Sequence, residues 1–188
     1  MTRKARTRPK PRPLPPGAVL LARGRESHWS VLSRGDRLHG RTYRPAEGDP
    51  AAAVILCTPD GTATDELVLR ARSIWAGRAV AVFDLVLCGS RRSDKLSAQV
   101  FDPAQPLAAR LHADLAGQTA ADLAAVTALL RADPALGGAQ LSLVAVGRGA
   151  ALAREFAAGP HGLAAVVVDA DAKPDDAWLR AVAARLTD

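Results

Sequence analysis

Four stretches of the sequence hold residues whose types and spacing could do chemistry. Gly147-Arg148-Gly149 closes the apolar run Leu141–Val146 and opens an Ala-rich segment, so a strand would turn directly into a helix N-terminus, where backbone N–H groups face outward. Thr58-Pro59-Asp60-Gly61 breaks the run Ala52–Cys57, and Leu85–Arg92 follows the run Ala79–Asp84. Asp169-Ala170-Asp171 ends the run Leu163–Val168. Cys57 and Cys88 sit at two of these breaks, where a thiol pair could oxidise, bind a soft metal or act as a nucleophile if its pKa were depressed. The plainer reading is two small buried side chains. His112 and Asp114 follow Ser90, Ser93 and Ser97 in the long polar stretch Leu87–Gly117, so His112 and Ser90 are the other candidates for a base and a nucleophile. Ser142 lies inside a strand-like run and His161 precedes one, which makes both poor catalytic candidates. His28 and His39 have no partner legible in the sequence.

These breaks are positioned by alternating buried strands and amphipathic helices. Continuous apolar runs of strand length imply strands buried on both faces, and Leu67, Ala71, Ile74 and Trp75 recur at helical spacing after a cap at Thr64. A second helix is expected from a cap at Thr119, with Leu123, Val126 and Leu130 on one face and Asp133-Pro134 as its end. A third runs from Gly149 to Gly159-Pro160, and Asp175–Leu186 is the last. Upstream, Trp29–Ser33 and Leu38–Tyr43 flank Arg34-Gly35-Asp36-Arg37, a hairpin signal. The expected fold is α/β, with a mostly parallel sheet of about six strands, helices on both faces and an N-terminal β-hairpin. In such a sheet ligands bind beyond the carboxyl ends of the strands, the edge where all four stretches fall.

In order and spacing, Gly35-x-x-Leu38-x-Gly40-x-x-Tyr43-x-Pro45, AVILCTPDG, VAVFDLVLCGSRR, LSLVAVGRGAALA and GLAAVVVDAD resemble the first six strands of the α/β-hydrolase superfamily, esterases and dienelactone hydrolases included. The likeness covers about residues 29–171. It implies a three-layer sandwich in which Thr58, Pro59, Asp60 and Gly61 form the oxyanion loop. It also makes Asp84–Ser90 the counterpart of an Asp-x-x-Gly-x-Gly turn and Ala145–Gly149 the nucleophile elbow. The family elbow reads Gly-x-Ser-x-Gly. Here the frame is Ala145-Val146-Gly147-Arg148-Gly149, which puts Gly147, without a side chain, at the nucleophile position. The sequence ends at Asp188, so the expectation is a sheet lacking the family's last strands and the histidine presented after them. The resemblance thus implies a catalytically inactive relative acting as a binding or interaction module. Two alternatives remain open. One is an active esterase-like hydrolase with a rearranged serine or cysteine nucleophile. The other is a dinucleotide-binding unit using Gly147, Gly149 and Asp169, the last 20 residues after Gly149, although Leu152 occupies the third glycine position.

Composition bounds the partners. The 188 residues suit one domain, expected over residues 17–188, after a basic, Pro-rich, disordered tail over 1–16. Lys10, Pro13 and Pro16 match a polyproline-ligand spacing, with a solvated basic tail as the plainer reading. The formal charge is +6, and the six basic residues of that tail account for all of it, which argues against a specific nucleic-acid face on the folded part. No apolar run approaches the roughly 18 residues of a membrane span, so no membrane partner is expected. Two cysteines make neither a multi-bridge secreted scaffold nor an unaided zinc site, and a reducing, cytoplasmic setting follows. No cofactor or metal is expected. The expected partner is a small molecule or a protein at the strand C-terminal edge, with pairing at an exposed edge strand or homo-oligomerisation as a further possibility.

Overall fold

The computed structural model describes residues 12–58, 65–102, 104–136 and 138–186. Seven strands form one sheet: β1 (Val19–Arg23), β2 (Glu26–Ser33), β3 (Asp36–Tyr43), β4 (Ala52–Cys57), β5 (Arg78–Phe83), β6 (Gln140–Val146) and β7 (Ala165–Asp169). Their spatial order is β1-β2-β3-β5-β4-β6-β7. The last four are parallel and the first three antiparallel, with β3 running against β5. The α/β class, the parallel core and the N-terminal hairpin are as the sequence implies.

To the expected strands the structure adds β1, which extends the hairpin to three antiparallel strands. Two expectations need correction. Thr119 caps nothing: it is fully buried inside helix α3 (Ala108–Ala132). His112 and Asp114 therefore lie on that helix rather than in a loop. The helix runs straight through Gly117, whose cost of about 1 kcal/mol is small against the buried stripe Ala116, Thr119, Leu123, Val126 and Leu130.

The other helices are α1 (Asp65–Ile74), α2 (Asp94–Phe101), α4 (Arg148–Ala158) and α5 (Asp176–Arg185). Asp175 caps α5 by accepting from the Trp178 amide; Thr64 lies outside the described residues. Two cores flank the sheet. Trp29, Ile55, Phe83 and Leu143 pack with Leu123, Leu129 and Leu130 of α3 on one face. Val54, Leu56, Val80 and Val144 pack with Trp75, Leu179 and Val182 on the other. Every residue of β4 from Ala53 to Cys57 is buried, as expected of a strand covered on both faces. Gly40 stands opposite Trp29 because a Cβ there would run into the indole ring. The Trp29 indole N–H donates to Thr42 Oγ1 at 2.9 Å, which satisfies the one polar atom of a buried ring.

Candidate functional site

The crossover that follows β4 leads to β5 on one side, and the one that follows β6 leads to β7 on the other. The tips of β4 and β6, paired through Cys57 and Ala145, thus flank the topological switch point, the place at which open α/β sheets in general bind ligands. Gly147 lies at this place. It has φ 59° and ψ −133°, a region that side-chain-bearing residues occupy only under strain, and it forms the N-cap of α4. Its amide donates to the Asp169 carbonyl at 3.0 Å, and its carbonyl accepts from Ala150 at 3.0 Å, so the turn is tied to both neighbouring elements. A Cβ on Gly149 would stand 3.0 Å from the Thr58 carbonyl oxygen and 3.2 Å from Cys57 backbone atoms. The second glycine is therefore needed for α4 to approach β4. Arg148, between the two, is the first residue of α4.

The turn after β5 is built by Asp84. Its Oδ2 accepts from the Ser90 amide at 2.8 Å and from Ser90 Oγ at 2.7 Å. Leu87 has φ 58° and Gly89 φ 51°, the two positions at which an Asp-x-x-Gly-x-Gly turn places glycine. The turn thus keeps its shape with a leucine in the first glycine position. Ser90, held on Asp84, is exposed. Arg91 then reaches beneath the turn, its Nη1 2.7 Å from Oδ2 of the fully buried Asp122 on α3, and its Nη2 3.2 Å from Asp36. Gln118 Nε2 donates to the other oxygen of Asp122 at 2.8 Å. A buried carboxylate with an arginine and an amide on its oxygens is a fastening for the turn.

Cys57 and Cys88 are both buried in the same core beneath the elbow, and neither is in a disulfide. Burial first, and the neighbouring Cys88 second, push the Cys57 thiol up to about 12, so it stays protonated at neutral pH. A thiolate nucleophile needs the opposite environment. Thr58 is buried, and no partner of its Oγ1 is found among the described residues; Pro59, Asp60 and Gly61 lie outside them. The histidines stand on several elements. His28 Nε2 lies 3.0 Å from Glu26, His161 Nδ1 accepts from the Leu163 amide at 3.0 Å, and His112 is on α3. His39 lines a cavity of about 320 Å³ with His28, Arg41, Val68, Asp84 and Ser90. That cavity opens beside β3 and β5, separated from the β6 elbow by β4. Ser142 is buried inside β6. The Asp169 carboxylate accepts from the Trp178 indole N–H at 3.2 Å, and Leu152 is fully buried in α4. No group of His, Cys, Asp and Glu able to hold a metal occurs among the described residues.

The Asp122–Arg91 tie and the His39 cavity were not foreseeable from local sequence. One signal pointed to the first: an acid inside the apolar stripe of a helix calls for a buried cationic partner.

No protein-family model and no curated protein matches the chain. Solved structures do. A cold-adapted esterase from an Arctic intertidal metagenomic library aligns with TM-score 0.55 at 15% identity over 78% of this chain and 62% of that one. The dienelactone hydrolase of Anabaena variabilis aligns with TM-score 0.53 at 18% identity over 76% and 62%. A Pyrococcus furiosus esterase aligns with TM-score 0.54 at 14% identity over 77% and 48%. The chain therefore spans less than two thirds of the length of these proteins, and what it shares with them is the arrangement of strands and helices.

Proposed function

We propose that this chain, which has the α/β-hydrolase fold, retains the elbow without its ester-cleaving chemistry and works as a binding or interaction module. The supporting observation is the backbone of Gly147. It is bent as a nucleophile elbow is bent, but its Cα carries only hydrogen where a hydroxyl would attack. A small molecule or a partner's side chain seated at the switch point meets the first turn of α4 and Arg148 instead of a nucleophile. Glycine stabilises such a turn without side-chain strain, so the scaffold persists once catalysis is no longer selected. Beside this site, β7 forms one margin of the described sheet, with Ala165, Val166 and Val168 only partly buried. A strand of a partner, or of a second copy, is the natural cover for such an edge. The two unbridged thiols and the composition suit the reducing cytoplasm.

The dinucleotide reading is disfavoured by Leu152, whose bulk fills the position where a third glycine would let helix and strand close up, and by the Trp178 bond on Asp169. The test is labelling of the full chain with a fluorophosphonate probe, followed by peptide mapping. The expected result is no specific adduct. An adduct at Ser90, whose hydroxyl is already held by Asp84 beside the His39 cavity, would replace this proposal with a rearranged hydrolase site.

A further inference from the structure

The basic character of the chain does not end with its tail. Residues 1–44 hold 12 of the 25 Lys and Arg but only 2 of the 19 Asp and Glu, so this end carries +10 while residues 45–188 carry −4. In space, residues 19–43 are the antiparallel extension β1–β3. On the sheet face that α1 and α5 cover, the cover stops at Tyr43, whose ring lies 4.8 Å beneath the Arg72 guanidinium of α1. Beyond that line His28, His39 and Arg41 line the cavity with Val68 of α1, Ser30 is buried under Arg37, and only the outer part of the face is exposed. Ala18 and Leu20 turn inward to the core on the α3 side, so Val19 and Leu21 point out from that outer part. They are 46% and 57% exposed, and Leu32 of β2, 43% exposed, stands with them. Registered opposite these are Ser30, His28 and Arg37, with His39 and Arg41 in the adjoining positions. The result is an apolar centre flanked by the arginines Arg37 and Arg41.

We infer that this face docks on an anionic lipid surface, with Val19, Leu21 and Leu32 entering the headgroup boundary and the Arg and Lys residues of the extension and tail held by the lipid charge. Polybasic segments are drawn to anionic leaflets, and apolar side chains among them add an attachment that salt does not screen. A nucleic acid would gain nothing from the three aliphatic side chains, and the rings suited to stacking on bases, Trp29 and Phe83, are buried on the other face. Face-to-face pairing of two copies would bring like charges together. The inference departs from the expectation of no membrane partner, which rested on the absence of a spanning segment. No helix among the described residues is long and apolar enough to cross a membrane, and docking at a surface requires none.

Flotation of the full chain with vesicles tests this, using phosphatidylcholine alone and phosphatidylcholine mixed with phosphatidylserine, at low and high salt. Binding to the mixed vesicles only, weakened by salt, is expected. The Leu21→Ser/Leu32→Ser variant, with its fold checked by circular dichroism, should partition about tenfold more weakly at every salt concentration. Changing Arg3, Lys4, Arg6, Arg8, Lys10 and Arg12 to Gln should weaken binding further while leaving it sensitive to the leucine pair. The inference is overturned by equal binding to neutral vesicles, by no binding, or by mixed-vesicle binding indifferent to the leucine pair, which would make the tail a simple polycation. It is equally overturned if single-stranded RNA binds more tightly than the vesicles, or if the leucine pair proves to be the contact of a dimer in solution.

Discussion

Replacing Arg91 with Met removes the cationic partner from a carboxylate that has no access to water. Asp122 is fully buried on α3, and the 2.7 Å contact from Arg91, itself only 18% exposed, carries most of its compensation. The Gln118 amide would remain on one oxygen, leaving a charge without a counter-charge inside the stripe that packs α3 on the sheet. Breaking a buried pair from one side costs about 3–5 kcal/mol. The 3.2 Å contact between Arg91 and Asp36, a residue with 64% side-chain exposure, adds little, on the order of 0.5 kcal/mol. Replacing both partners, as Arg91→Met/Asp122→Leu, removes the desolvated charge along with its partner and should return stability to within about 1 kcal/mol of the parent. Urea denaturation followed by tryptophan fluorescence gives the three differences, provided that the m-value is unchanged. Because Arg91 fastens the Asp84–Ser90 turn to α3, the single variant should also lose hydrogen-exchange protection at Cys88 and Arg92, whose amides donate within that turn. An Arg91→Met cost below about 1 kcal/mol would refute the reasoning, since it would mean that Asp122 does not depend on its arginine for compensation.

Three further outcomes follow from individual contacts. Gly149→Ala places a methyl 3.0 Å from the Thr58 carbonyl, an immovable backbone atom, and should cost about 1–3 kcal/mol in denaturant midpoint. Thr119→Val replaces a buried hydroxyl for which no partner is found among the described residues with a methyl of the same shape; the melting temperature should hold or rise, by about 1 kcal/mol in stability. Burial, opposed by the Ala135 amide and the charge of Arg44, holds the Asp133 carboxyl above the usual carboxylate range. The native state therefore binds that proton more tightly than the unfolded chain does. The residue favours folding when protonated and disfavours it once ionised, so its contribution is lost as pH rises through the native pKa. Asp133→Asn should be more stable than the parent at neutral pH by up to about 1 kcal/mol, with the gap closing as the pH falls to about 3.

The parallel core was legible because β4, β5 and β6 are continuous apolar runs broken by turn residues, and burial on both faces leaves no other pattern possible. The elbow was legible because glycine is the residue that fits both a left-handed turn and a close backbone approach, and Gly147 and Gly149 are used for one each. Strand β1 was not, since an edge strand with its side chains mostly exposed carries little of the alternation that marks a half-buried one. The first half of α3 was hidden by Gly117 and by a run of polar residues, and only tertiary packing against α4 overrides their weak propensity. The Arg91–Asp122 tie joins residues 31 apart on different elements, a proximity that no local pattern encodes. The charge of the N-terminal 44 residues was countable, but which of them share an exposed part of a sheet face depends on where α1 stops covering the sheet.

The most direct measurement of whether the elbow has shape without chemistry is the rate of p-nitrophenyl acetate hydrolysis by Gly147→Ser beside the parent. The strained backbone should cost the variant about 1–3 kcal/mol of stability and leave it folded. Its hydroxyl would stand at the head of α4, while His28 and His39 belong to the antiparallel extension, His161 precedes β7 and His112 is on α3, none of them hydrogen-bonded to the elbow among the described residues, so the predicted rate equals that of the parent. Turnover above the parent, with acylation at the introduced serine, would show a working base at the elbow and contradict the account.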